Sequence, residues 1–186
     1  GISLVGHVLT TAGELDAAHI VAVVRHERDA VAAAVADHLP TAVIIDQDDV
    51  PGTGRAVELA LSGLPGDFVG QVVVLSADVP LLDAATVRGL LANHTASSNA
   101  LTLLSAIFAD PTGAGRILRA SDGSFEAIVE QKDATPEQLL VTEINAGVYV
   151  FDATALRQSL AAIGTDNAQQ EKYLTQTMQV VQSNLD

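Results

Sequence analysis

The sequence contains no cysteine, which excludes disulfide stapling and any thiolate metal site and makes a reducing cytoplasm the expected setting. Basic residues are scarce: nine Lys and Arg stand against 23 Asp and Glu, a formal charge of −14. A nucleic-acid binder needs Lys and Arg to displace counterions from phosphates, so no nucleic-acid partner is expected, nor an anionic membrane surface. No apolar run reaches the roughly 18–20 residues that cross a bilayer, and no basic segment followed by an apolar stretch lies at the N-terminus. The five histidines (His7, His19, His26, His38 and His94) show no i, i+4 pairing or other zinc spacing, and read as structural or surface residues. Fixed-period repeats, low-complexity tracts and an interdomain linker are lacking as well. What is present is 48% apolar and 17% charged residues in 186, the make-up of one ordered domain with a real core. A small phosphorylated ligand stays compatible with the acidity, because a divalent cation held by a carboxylate offsets local repulsion.

Short β-branched runs alternate with Ala/Leu-rich stretches of helical spacing. Helices are predicted over residues 4–17, 27–38, 54–61 and 84–93, and strands over 20–24, 42–45, 71–75 and 100–108. Such alternation implies right-handed βαβ crossovers and an α/β fold with a mainly parallel sheet. The near-continuous apolar strands fit burial on both faces. After about residue 110 the texture changes: residues 116–119 and 125–130 flank Ser121-Asp122-Gly123, a hairpin signal. A polar loop with a short helix over 132–140 and a strand over 143–151 come next, then a helix over 153–161 capped by Asp152 and another over 166–182. The second half therefore adds a mixed, partly antiparallel region to the sheet.

Ligands of open α/β sheets bind outside the carboxyl ends of strands, and three groups of residues fall there. The first is Asp46-Gln47-Asp48-Asp49-Val50-Pro51-Gly52-Thr53-Gly54, between a strand and a helix. Its glycines admit a flat ring, and the Gln47 amide offers one donor and one acceptor to a pyrimidine edge. Taken alone, it reads first as a Pro-Gly turn and helix cap. It lacks the Gly-Lys-Ser/Thr ending of a P-loop. The second is Ser76-Ala77-Asp78-Val79-Pro80-Leu81-Leu82, where Asp78 stands at the mouth of a buried strand, placed to hold Mg²⁺ against a diphosphate. The competing role, N-cap of the next helix, suits Asp83 better. The third is dispersed: Gly113-Ala114-Gly115-Arg116, Glu130-Gln131-Lys132 and Asn145-Ala146-Gly147. Glu and Asn can meet sugar hydroxyls and an amide, yet each group by itself is a turn or strand end, and spacing does not join them.

In order along the chain, these segments resemble the N-terminal uridylyltransferase domain of the bacterial bifunctional N-acetylglucosamine-1-phosphate uridylyltransferase/glucosamine-1-phosphate N-acetyltransferase family. The resemblance rests on Gln47 with Pro51-Gly52-Thr53-Gly54, on residues 76–82, and on Asp110-Pro111-Thr112-Gly113-Ala114-Gly115-Arg116-Ile117. It continues through Ala127-Ile128-Val129-Glu130-Gln131-Lys132-Asp133-Ala134, Glu143-Ile144-Asn145-Ala146-Gly147-Val148-Tyr149 and Asp166-Asn167-Ala168-Gln169-Gln170-Glu171-Lys172-Tyr173-Leu174-Thr175, covering nearly the whole chain. It implies a Rossmann-like nucleotide-diphospho-sugar transferase fold. The implied reaction makes UDP-N-acetylglucosamine and pyrophosphate from UTP and N-acetylglucosamine 1-phosphate, for cell-wall peptidoglycan precursors. By the same resemblance Gln47, Gly52 and Thr53 hold the uracil and ribose. Asp78 binds Mg²⁺, with Ser76 and Ala77 lining its turn. Gly115, Glu130 and Asn145 contact the N-acetylglucosamine and nearby ribose, and Tyr173 and Thr175 close the sugar side. Because the attacking phosphate is already an anion, positioning and charge neutralisation replace a general base.

Relative to the family pattern, Ala77 replaces a glycine, Ala114 an aromatic, Arg55 a histidine and Gln176 an aspartate. The family's opening Leu-Ala-Ala-Gly…Gly-Thr-Arg-Met loop and catalytic lysine have no counterpart here; Gly1-Ile2-Ser3-Leu4 matches the family just after that β–α unit of roughly 30 residues. The chain also stops at Asp186, before the family's Gly-Val-Asn-Asn-Arg segment and its C-terminal left-handed β-helix. The expectation is a nucleotidyltransferase domain over residues 1–186, truncated at both ends, with no catalytic residue of its own and no turnover alone. The full-length protein is expected to be an active homotrimer. The alternatives are a catalytically silent UDP-sugar-binding fragment, or a related nucleotidyltransferase for another sugar.

Overall fold

Asp152 and Asp83 explain where two of the helices begin. In the computed structural model, which describes residues 3–167 and 169–183, Asp152 Oδ1 accepts the backbone N–H groups of Thr154 and Ala155, both at 2.9 Å. It caps α5 (Ala153–Ala162). Asp83 Oδ1 accepts from Thr86 N at 2.7 Å and caps α4 (Ala84–Ser97), which releases Asp78 from that duty. Ser3 caps α1 (Leu4–Gly13) through Gly6 N. This helix ends four residues short of its predicted limit because Gly13 and a left-handed Asp16 (φ 52°) break the turn. Asp152→Ala is expected to destabilise the fold by about 1 kcal/mol, read as a lower midpoint in urea at unchanged slope.

The predicted alternation is realised. β1 (Val21–Val24) and β2 (Val43–Asp46) pair in parallel through the crossover helix α2 (Arg28–His38), and α3 (Thr53–Ser62) packs against β1. β3 (Gln71–Leu75) and β4 (Leu101–Ile107), joined by α4, run in the same direction. Between them lies β7 (Glu143–Asp152), antiparallel to both, with Val73 opposite Val150 and Leu103 opposite Tyr149. The hairpin β5 (Arg116–Arg119) and β6 (Phe125–Val129) turns at Gly123 and joins β7 at Arg116↔Ile144. The fold is α/β with both strand senses, but the expected mainly parallel sheet is not found. Among the described residues the hydrogen-bonded strands form a parallel pair, β1–β2, and a separate five-stranded sheet whose pairings are all antiparallel, because β7 slots between the like-directed β3 and β4.

A second expectation fails. Residues 166–182 do not form one helix: a 3-10 turn (Leu174–Gln176) leads into α6 (Thr177–Ser183), and the preceding stretch is irregular. Its backbone donors go to tertiary partners, Lys172 N to Pro51 O (2.9 Å) and Leu174 N to Thr53 Oγ1 (3.1 Å). Asn167 Oδ1 takes the N–H groups of Gln169 and Glu171, and Gln170 is left-handed at φ 55°. Donors satisfied in this way leave no i→i−4 ladder to build. Ala168 of this motif, and the chain ends Gly1 and Asp186, lie outside the described residues.

The main core joins Val57 of α3, Ile117 and Ile128 of the hairpin, Tyr149 and Phe151 of β7, and Leu156 and Leu160 of α5 to Leu174 and Met178. The irregular 171–175 strap is therefore anchored from below by Leu174, which is fully buried. No helix among the described residues is long and apolar enough to cross a membrane.

Candidate functional site

The turn after β2 is tied to the strap. Gly52 adopts φ 111°, and a Cβ there would sit 2.4 Å from Lys172 O and 2.6 Å from Lys172 N. Gly54 N donates to Lys172 O at 2.7 Å. Glycine at 52 therefore answers two demands at once, a positive-φ backbone and direct contact with another backbone. Gln47 Nε2 donates to Val50 O (3.1 Å) and Gly52 O (3.2 Å), so the amide braces its own loop and leaves Oε1 as its acceptor.

An ion network fastens the same turn. Arg55 reaches Asp48 (Nε–Oδ2, 3.0 Å) and Glu58 (2.6 Å), and Glu58 also receives Lys172 Nζ at 3.0 Å. Burial pushes the Glu58 carboxyl up, but the bonds from Arg55 and Lys172 outweigh it and hold the group below the usual range. Arg55, which stands where the family pattern has histidine, takes part in a network that a neutral imidazole could not form.

A second cluster lies at the mouths of β3, β6 and β7. Ser76 Oγ donates to Gly147 O (2.9 Å), and Gly147 N donates to Asn145 Oδ1 (3.1 Å). Asn145 Nδ2 donates to Tyr149 Oη (2.5 Å), and Asn145 N to Gly115 O (2.9 Å). Gly147 is left-handed at φ 70°, and a Cβ would fall 2.7 Å from Ser76 Oγ. A Cβ on Gly115 would fall 3.4 Å from Glu130 Oε2, and Thr175 Oγ1 donates to Glu130 Oε1 at 3.0 Å. Spacing in the sequence does not join these segments; the fold does.

Tyr149 belongs to the cluster and was not singled out as a site residue from the sequence. Sequence alternation does not mark it, because a register irregularity and the left-handed Gly147 interrupt β7 between residues 145 and 149; the Asn145–Tyr149 hydrogen bond does. The phenol is pushed up to about 12: burial dominates, the Asn145 bond opposes it, and the charges of Glu130 and Asp78 add to it. Tyr149 therefore stays protonated at neutral pH, accepts from Asn145 and keeps its own O–H to give. The charge of Asp78 is thus felt, weakly, at the Tyr149 phenol. Asp78 and Ala77 lie exposed on the turn beyond β3, held through Thr11 Oγ1 to Leu82 O (2.7 Å). Among the described residues no three His, Asp or Glu side chains gather into a cation cage. A lone exposed carboxylate suits a hard cation whose other ligands are phosphate oxygens and water.

Glu130 is raised above the usual carboxyl range, first by burial, then against the Thr175 bond by the charges of Asp133 and Glu171. An acid raised on folding binds protons more readily when folded, so it withdraws stability as pH rises through its folded value. Glu130→Gln is expected to raise the melting temperature at pH 7, the gap closing toward acid; no gain at pH 7 would contradict this. Tyr173 is buried, with its hydroxyl accepting from Gln169 Nε2 at 2.6 Å. Thr53 and Glu130 hold the strap at adjacent residues, Thr53 at Leu174 N and Glu130 at the Thr175 hydroxyl. The two clusters thus share one segment, while no direct bond joins Gln47 to Glu130 or Asn145 among the described residues.

The α/β fold is shared with solved nucleotidyltransferase structures. UDP-glucose pyrophosphorylase complexed with UDP-glucose superposes with a TM-score of 0.69 at 11% identity, covering 98% of this chain and 75% of that one. The chain belongs to the MobA-like NTP transferase domain family, whose model matches residues 1–177. It is 65% identical over 97% of its length to the bifunctional protein GlmU of Clavibacter sepedonicus, and 59% identical over 94% to that of Leifsonia xyli subsp. xyli (strain CTCB07). It spans 37% and 36% of these relatives.

Proposed function

We propose that this chain is the nucleotide- and sugar-binding part of a longer bifunctional protein. Its reaction is the transfer of a uridylyl group from UTP to N-acetylglucosamine 1-phosphate, releasing pyrophosphate and giving UDP-N-acetylglucosamine for the cell wall. The observation that carries the reading is the 171–175 strap, bonded on one side to the Gly52–Gly54 turn and on the other to Glu130. A ligand spanning both clusters needs a flat base at one end, a sugar at the other and phosphates near Asp78. A UDP-sugar has that order of parts.

In this reading the Gln47 Oε1 acceptor faces the N3–H of uracil. Glu130 accepts from sugar hydroxyls, and Asn145 and Tyr149 give donors to the acetamide side. Asp78 would hold Mg²⁺, which supplies charge neutralisation across the phosphates when bound. The oxygen of the sugar 1-phosphate attacks the α-phosphorus in line with the departing pyrophosphate. It is already anionic, so the residues orient rather than deprotonate. Four of the nine Lys and Arg side chains, Arg28, Arg55, Arg119 and Lys172, pair with carboxylates and so offer little free charge to the phosphates. The cytoplasmic setting and homotrimer belong to the same proposal.

Calorimetric titration of the full-length protein with UDP-N-acetylglucosamine, UDP-glucose and GDP-mannose tests the assignment. UDP-N-acetylglucosamine is expected to bind most tightly and GDP-mannose not at all. Equal binding of the guanine nucleotide would defeat the base assignment, and equal binding of UDP-glucose the sugar assignment.

A further inference from the structure

Arg116 opens β5 and is 2% exposed, yet it makes no ion pair among the described residues. Its Nη1 donates to Ala114 O and its Nη2 to Gln131 Oε1 at 3.3 Å, while the buried Nε has no partner. Gln131 Oε1 also accepts from Gly113 N. One guanidinium therefore closes a ring through Ala114 O, Gln131 and the Gly113 amide. Gly115 lies inside that arch, with its carbonyl on Asn145 N and its Cα facing Glu130. Burying an unpaired cation is costly, and the neutral acceptors around it offset that cost incompletely. A structural prop for the loop needs no charge, so the charge calls for another account. Asp110, whose carboxyl is held low first by Thr112 and also by the charge of Arg116, makes no ion pair with it among the described residues.

We propose that Arg116 is a positioning residue for an anionic sugar ligand, a sugar 1-phosphate. Its fork fixes the Gly113–Gly115 arch against Glu130, so that the sugar end of the ligand meets a rigid loop while the phosphate lies toward Asp78. Arg is suited to this because the planar fork holds two acceptors at once, whereas Lys offers a single point charge. The role rests on the proposed uridylyl transfer and concerns the sugar half of the site alone.

The test compares Arg116→Met, Arg116→Lys and Gln131→Leu in the full-length protein, with KM for N-acetylglucosamine 1-phosphate and for UTP measured separately. Arg116→Met is expected to raise the sugar-phosphate KM roughly tenfold or more, the effect of losing one charge-assisted hydrogen bond. The UTP KM is expected to stay within about twofold. Arg116→Lys should recover part of the loss, and Gln131→Leu, which keeps the charge, should give a smaller rise together with faster amide exchange at Gly113–Gly115. Equal rises in both KM values, or no rise with Arg116→Met, would overturn the role. Where Arg116→Met does not fold, Arg116→Lys and Gln131→Leu decide it by the same split. An absence of turnover in the wild type would sink the uridylyl-transfer reading instead. Amide exchange in the arch would then still report on Arg116, and exchange unchanged in all three variants would overturn the positioning.

Discussion

Asp78→Ala is expected to abolish Mg²⁺-dependent pyrophosphate release by the full-length protein, lowering kcat by roughly 10²–10³-fold or more, while leaving the fold intact. Asp78 is exposed on the turn beyond β3, and its carboxylate fastens no neighbour among the described residues. A surface change of this kind shifts stability by about 0.5 kcal/mol or less. The turn itself keeps its fastenings, Thr11 to Leu82 and Asp83 to Thr86. Activity and stability should therefore separate: kinetics collapse, and the thermal melt does not move. Retained activity would refute the cation assignment, and a large loss of stability would show that the carboxylate has a structural duty.

Gly52→Ala is expected to do the opposite, damaging the fold and both halves of the site together. At φ 111° the added Cβ is strained, and it would meet the Lys172 backbone at 2.4 Å. Backbone on both sides cannot rotate away as a side chain does. Strain and displacement together should cost roughly 3 kcal/mol or more, a fall in melting temperature of roughly 6–12 °C. The strap would be pushed off Thr53, and with it Thr175 off Glu130, so affinity for a UDP-sugar should fall as well. Gly113→Ala is the control, because that glycine also has a positive φ (90°) but nothing within 4 Å of its Cβ. It should show the strain alone, about 1 kcal/mol. Equal effects at the two positions would mean that the contact with Lys172 contributes nothing.

The parts of the fold legible in the sequence were those set by local chemistry. The β-branched runs gave β1 to β4 within a residue or two, Ser121-Asp122-Gly123 marked the hairpin turn, and Asp152 announced α5. The residues that proved hardest to read are those whose partners are distant in the chain. β7 is an ordinary apolar strand by composition, and nothing local says that it will lie between β3 and β4. Residues 166–173 carry good helix formers, yet Asn167 and the turn at Pro51–Gly54 take their backbone groups. The same holds for the site. Asp78, Glu130 and Asn145 were named from their positions at strand ends and from the family resemblance. Tyr149 and Arg116 acquire meaning only when burial and hydrogen-bond partners are seen. Gln47, expected to read a base with both halves of its amide, spends its donor on Val50 and Gly52.

The most direct measurement is pyrophosphate release by the full-length protein given UTP, N-acetylglucosamine 1-phosphate and Mg²⁺. Pyrophosphate and UDP-N-acetylglucosamine should appear in equal amounts, and release should stop on chelation of the metal. Release that continues in excess chelator, or that proceeds equally with GTP and mannose 1-phosphate, would contradict the account.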